Sequence, residues 1–382
     1  MPNYQVGRLG RLYAVEEVTF GTLPAIVGTN AMPHIDVGIT HSLNRQNSDE
    51  KKGTPGLSTR FSRHIAAGFD IKRAYLSPSG TIGVIPRSSL FFEHGMGTKT
   101  VGTGSTTVVA APPPTTTTAT VASGANFTVG EMILITLATA PNAGVYPRRL
   151  TSKGTGSEFT WEPALPAAPV LADTVKNGVT YNLANTLSKS ISLVRYLPNL
   201  TWSVSGCVVD KVGIQFDGNG EATFSASGPA VAAARPGPAD PVTFTTLGSP
   251  VTGLTGAVRI NGTAYKVMKL NVEVNNAMQM VNDELGDDRA VAYYRNGRRD
   301  VTIALDARVT DDTTLLALAE PSSDAAVLAH VGSAEGRIIA IYLPKAEFDY
   351  PETPDGDGGL TWSFKGVGKE TVGNDELLVA LL

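Results

Sequence analysis

The sequence repeats itself at long range, and that repeat limits the folds open to it. Val18-Thr-Phe-Gly-Thr-Leu23 returns as Val242-Thr-Phe-Thr-Thr-Leu247, and Lys211-Val-Gly-Ile-Gln-Phe216 returns as Lys345-Ala-Glu-Phe-Asp-Tyr350. Asp217-Gly-Asn-Gly-Glu-Ala-Thr-Phe-Ser-Ala-Ser-Gly228 then lines up with Asp355-Gly-Asp-Gly-Gly-Leu-Thr-Trp-Ser-Phe-Lys-Gly366. Three matches in one order read as a domain present twice; the alternative is a pair of similar β-hairpins within one large sheet.

Composition bears on which of these can fold. With 382 residues the chain can bury more than one core. Charged residues make up 17% and hydrophobic residues 42%, while 40 glycines and 24 prolines supply turns for many short strands. A net charge of −4 leaves no basic surplus to neutralise a phosphate backbone, so tight nucleic-acid binding is not expected. Cys207 is the single cysteine, which excludes an internal disulfide and points to a reducing compartment. No apolar run reaches the length of a membrane span, and the start lacks a signal-peptide pattern.

Residues 34–45 and 60–76 read as two strands around a polar loop with Asp49, Glu50, Lys51 and Lys52. Ser88 and Ser89 open a short helix that Gly95 is expected to end. Residues 103–176 differ in composition: Thr106 to Thr120 reads as an extended connector, and Phe127, Ile133, Phe159 and Trp161 suit a small β-barrel. From Ile191 to Gly206 apolar and polar residues alternate, as in a strand with one wet face. Alternation is clearest at Met268–Val274 and Val301–Val309, on either side of a polar loop, Asn276 to Gly297, that carries Asp283, Glu284, Asp287 and Asp288. Asp311 and Asp312 are placed to cap a helix through Leu315 and Leu318, ended with the help of Pro321. Hairpin, helix, strand, strand thus occurs twice.

The expected fold class is mainly β: two tandem β-sandwich or half-barrel domains, each with a short flanking helix, plus a small inserted β-barrel. The boundaries are 1–102 with 177–240, 103–176, and 241–382. Removal of the insertion leaves about 300 residues, roughly 150 per copy, a usual domain size.

Reaction chemistry finds no foothold. The five histidines, His34, His41, His64, His94 and His330, do not form a His-Glu-x-x-His pattern. Gly366-Val-Gly-Lys-Glu370 lacks both the first glycine and the final Ser/Thr of a phosphate loop, and Asp355-Gly-Asp-Gly-Gly359 lacks the later glutamate of a calcium loop. No Gly-x-Ser-x-Gly elbow occurs. The chain is read as having no enzymatic activity, cofactor or metal.

Several segments resemble the tail tube proteins of long-tailed bacteriophages, in the branch with larger subunits. They are Leu270-Asn-Val-Glu-Val-Asn-Asn276, the polar loop, Gly297-Arg-Arg-Asp-Val-Thr-Ile-Ala-Leu305 with its Asp-started helix, Tyr196-Leu-Pro198, Gly206-Cys207, and Asp375-Glu-Leu-Leu-Val-Ala-Leu381. The resemblance implies subunits whose hairpins join into one closed barrel, in rings stacked into a tube that conducts DNA, and closure of this kind removes free sheet edges. Six tube domains form such a ring. A doubled chain would need three copies, whereas a single elaborated domain would need six. The barrel hairpins would be residues 34–74 and 265–309, pairing Asp36 with Asn271, Arg63 with Arg299 and Asp70 with Asp306.

On this reading Asp36, Asp70, Asn271, Glu273, Thr302 and Asp306 are lumen candidates, and an acidic or neutral lining would repel phosphate; the alternative is a solvated face without a role. Asp49, Glu50, Lys51, Lys52, Asp283, Glu284, Asp287, Asp288, Arg295 and Arg298 are ring-stacking candidates. The implied partners are the chain itself, a tape measure protein inside the tube, and tail tip and terminator proteins at its ends, with double-stranded DNA in transit and no membrane. Its place would be the virion tail, assembled in the host cytoplasm, with the insertion outside the tube as decoration or spacer. Two other classes fit the composition: an adhesin or carbohydrate-binding β protein, and a capsid-decorating protein.

Overall fold

Period-two alternation places Leu270, Val272 and Val274 on one face of the Val267–Asn275 strand, and Val301, Ile303, Leu305 and Ala307 on the same face of Asp300–Arg308. Those faces bury apolar area, and the strands pair antiparallel from Asn275 opposite Asp300 to Val267 opposite Ala307. The computed structural model describes residues 7–382 apart from 52, 54, 55, 58, 156, 199, 246, 247, 310–313, 320–322 and 353–358. The protein is mainly β, built around one antiparallel half-barrel sheet of 14 strands.

Its strand order carries a pattern. From the Asp36–Ser42 edge the sheet continues through Ala66–Tyr75, Thr223–Ala230 and Lys211–Asp217. Next come Val267–Asn275, Asp300–Arg308, Thr361–Gly368 and Ile339–Phe348. Each quartet therefore uses its strands in the chain order first, second, fourth, third. The quartets are joined by a ladder running from Lys211 opposite Asn275 to Asp217 opposite Lys269. Beyond the second quartet lie Asp324–Val331, Ala257–Ile260 and Thr263–Tyr265, while Leu378–Leu381, Val179–Leu183 and Gly97–Val101 branch from Ile339–Phe348.

Order and register part company. Gly38 pairs with Asp70, whereas Glu273 pairs with Thr302 and Asp306 with Lys269. Pairing Asp36 with Asn271 and Asp70 with Asp306 would need Glu273 opposite Asp306, four residues from its observed partner. Exposed Asp and Thr fix no register; buried Phe69 and Ile71 or Ile303 and Leu305 do, and bulges beside Val37 and Lys269 shift the ladders. The first sequence match also separates in space, since Phe20 packs on Tyr293 and Phe244 on Tyr13. Leu247 and the Asp355 turn lie outside the described residues.

The main core lies between the large sheet and two coverings. One is the Ser89–Met96 helix, whose Phe91 and Phe92 reach Phe69, Phe224 and Tyr181 at ring separations of 5.5–6.4 Å. Each fully buried ring contributes about 2 kcal/mol. This helix ends at Gly97 (φ 107°) rather than Gly95, which is buried in its last turn, and Ser88 makes no side-chain cap. Leu315 of the Thr314–Ala317 helix joins the same core; Asp311, Asp312 and Pro321 lie outside the described residues.

The other covering is a four-stranded sheet, Arg11–Glu16, Ile191–Leu197, Leu200–Cys207 and Ala232–Ala234. Its expected wet face is dry in part. Val194 is fully buried because the segment joining the two halves folds back over it, the Tyr196 and Tyr13 hydroxyls donating to the Ala239 and Thr243 carbonyls, and Ser192 is fully buried where its hydroxyl donates to Glu17.

Residues 105–177 form a separate six-stranded sheet with a core of their own around Phe127, Ile133, Leu150, Phe159 and Trp161. Thr106–Thr120 is part of it, not a connector. Ser105–Thr107 and Thr118–Thr120 are its outer strands, and a bridge between Val108 and Val121 closes them on each other. The three prolines sit in the turn between these strands, where no ladder donor is needed. Met132 and Leu134 fasten this barrel to Leu328, Ala340, Tyr342 and Ala380 on the outer side of the large sheet.

Candidate assembly surface

The face of the large sheet turned away from the core gathers polar side chains from both quartets. Glu273 lies between Thr302 and Gly213, and Asp306 between Lys269 and Ser363, whose hydroxyl donates to it at 2.7 Å. Gly213 is fixed by space, since a Cβ there would come within 2.7 Å of Ser225 Oγ. Across the first quartet Asp70 pairs with Gly38, and Asp36 sits 3.6 Å from the Lys72 ammonium, both exposed. Asn271 pairs with Ala304 on the same face. All six lumen candidates therefore share one surface.

That surface is not acidic. Lys211, Lys269 and Lys365 project from the strands between the carboxylates, and Lys345 and Lys369 bind Asp324 at 2.9 and 3.0 Å. Hydrogen bonds from these lysines hold the Asp324 carboxyl below its ordinary range. The expectation of a repelling lining gives way to one of interleaved charge. It followed from reading two strands, whereas the cations come mostly from their neighbours.

One margin of the sheet is open. Asp36–Ser42 pairs with Ala66–Tyr75 on one side and with nothing on the other among the described residues.

Each polar loop is itself a hairpin. Arm 1 pairs Arg45–Asn47 with Arg60–Ser62, and arm 2 pairs Met278–Val281 with Ala292–Arg295. Arm 2 is firmly rooted: the Asn276 and Met278 amides donate to the Asp210 carbonyl and carboxylate at 2.8 and 2.6 Å, and Asn276 Nδ2 donates to the Gly95 carbonyl at 2.7 Å. Asp283, Glu284, Asp287 and Asp288 are exposed towards its tip. Asp49, Glu50 and Lys51 are exposed on arm 1, and Lys52 lies outside the described residues.

Arg295 does not belong with the tips. It turns inward and donates to the Asn185 carbonyl at 3.0 Å, while Arg298 pairs with Asp300 at 2.8 Å at the base of the arm. Arg299, which had no assigned task, clamps both oxygens of Glu376 at 2.6 and 2.7 Å and reaches the Ala184 carbonyl. Asp210 and Glu17, the two carboxylates that root arm 2 and the small sheet, carry no sequence signal because most of their partners, backbone amides and serine hydroxyls, lie far along the chain.

The titratable groups form scaffold contacts. Burial pulls His34 and His94 below the ordinary histidine range and His330 down to about 4, and pushes the Cys207 thiol up. Among the described residues no three His, Cys, Asp or Glu side chains are grouped to hold a metal ion, and no helix is long and apolar enough to cross a membrane.

An open strand edge, a polar sheet face and two hairpin arms suit self-assembly. A family model described as phage tail tube protein matches residues 7–368. No curated protein matches the chain. The chain belongs to the phage tail tube protein family, structural proteins of the virion tail.

Proposed function

We propose that three copies close one ring, each supplying two tube domains, and that stacked rings form the conduit through which double-stranded DNA leaves the particle. The observation that carries this reading is the doubled strand order within one continuous sheet, with an unpaired edge at Asp36–Ser42. The ladder between Lys211–Asp217 and Val267–Asn275 joins two quartets inside the chain, and a strand of the next chain covers the Asp36–Ser42 edge. The two tube domains are 1–102 with 177–240, and 241–382; residues 103–176 sit outside the ring, fastened at Leu328, Ala340, Tyr342 and Ala380 rather than on the strands that carry Asp70, Glu273 and Asp306.

The polar face then lines the bore. With Lys211, Lys269 and Lys365 set among Asp70, Glu273 and Asp306, it offers phosphate no continuous cationic track, so DNA passes without a lasting hold. The same bore would hold a tape measure protein during assembly, and tip and terminator proteins would cap the ends. The exposed tips of arms 1 and 2 meet the next ring. Purified chain is expected to form hollow rods in electron micrographs; a uniform population of free monomers at every concentration would refute the reading.

A further inference from the structure

Within the chain, arm 2 shows how an arm is seated. It leans across the end of the first quartet, where Met280 and Ala290 are buried with Val208 and Val231, and Tyr293 meets Phe20 at 5.2 Å. Its far side touches the root of arm 1, since the Ile65 amide donates to the Asp288 carbonyl at 2.8 Å. Arm 1 holds the same place in its own quartet, between the first and second strands, but no quartet precedes it in the sheet. Its apolar side chains stand in solvent: Leu43 is 43% and Phe61 52% exposed.

The opposite imbalance occurs across the sheet. The Thr361–Gly368 strand runs beside Asp300–Arg308 and ends near the root of arm 2, and just beyond its end Val372 is 85% exposed. Charge agrees with apolar area. Arm 1 carries Arg45, Arg60 and Arg63, while beyond that strand end Glu370 is exposed near Val372 and Lys369 is taken up by Asp324 and Glu347.

We infer that arm 1 is a lateral docking arm that seats at Val372, beyond the end of the Thr361–Gly368 strand, on a second copy of this chain, as arm 2 seats on the first quartet within one chain. The contact is heterologous, so it closes into a ring when the rotation per chain permits. It rests on the tube reading, and the experiment separates the two.

The full chain is compared with Phe61→Asp and with a control, Leu171→Asp, which alters an equally solvent-facing apolar residue on the inserted barrel. Parent and control are expected to build tubes, while Phe61→Asp keeps the parent circular dichroism and melting transition but loses rings and tubes. Tubes from Phe61→Asp at the parent yield would overturn the docking arm and leave the tube reading standing. No tubes from the parent would overturn the tube reading itself. Should Phe61→Asp not fold, a double variant decides, Phe61→Cys with Val372→Cys, against a silent background because Cys207 is buried. Isolated single rings of it, once oxidised, should lose the monomer band on a non-reducing gel, and rings that keep that band contradict the seat.

Discussion

Glu17 joins three separated segments through one buried carboxylate. One oxygen accepts the Gly21 amide at 2.9 Å and the Ser190 hydroxyl at 2.7 Å; the other accepts the Gly206 amide at 2.7 Å and the Ser192 hydroxyl. Gly206 presents its amide from a left-handed turn (φ 65°), where a Cβ would lie 2.3 Å from Val231. Each buried donor left without a partner costs about 1–3 kcal/mol. Glu17→Ala is therefore expected to lose about 3 kcal/mol or more, read as a lower midpoint in urea; a loss under about 0.5 kcal/mol contradicts this role. Nothing near Glu17 in the sequence announces the contact, because apart from Gly21 the partners are two serines and a glycine nearly two hundred residues away.

Elements were legible where burial is one-sided. Strands 267–275 and 300–308 follow from periodicity alone, and the helix from a short apolar run between serines and a glycine, since each pattern is complete within its own segment. Ends and partners were not. Gly95 and Gly97 are equivalent to the eye, but Gly97 alone takes the left-handed turn, with a virtual Cβ 2.5 Å from Ala184. Gly97→Ala is expected to cost about 2 kcal/mol, measured as a fall in the thermal midpoint, and an unchanged midpoint would show that the turn relaxes freely. The Thr106–Thr120 strands failed as a reading because each pairs with a segment more than thirty residues distant, such as Ser105–Thr107 with Thr174–Lys176. The polar loops hid hairpins for a related reason: Met278 and Met280 pack on Val208 and Val231, residues no local pattern ties to them.

At the scale of the whole molecule, the long-range repeat foretold the order of the strands but not their register. The order survives because each quartet must bury a like apolar face; the register does not, because exposed Asp and Thr residues resemble one another at any offset. The site was legible to the same extent. The lumen candidates share a face with Lys72 and Lys269 of their own strands, while Lys211 and Lys365 come from strands whose pairing only the fold reveals. The central claim is that the chain supplies two tube domains, joined within it by the ladder between Lys211–Asp217 and Val267–Asn275. Native mass measurement of a single ring released from the tube tests it most directly. The account predicts three chains of 40.0 kDa, and a ring of six chains would contradict it.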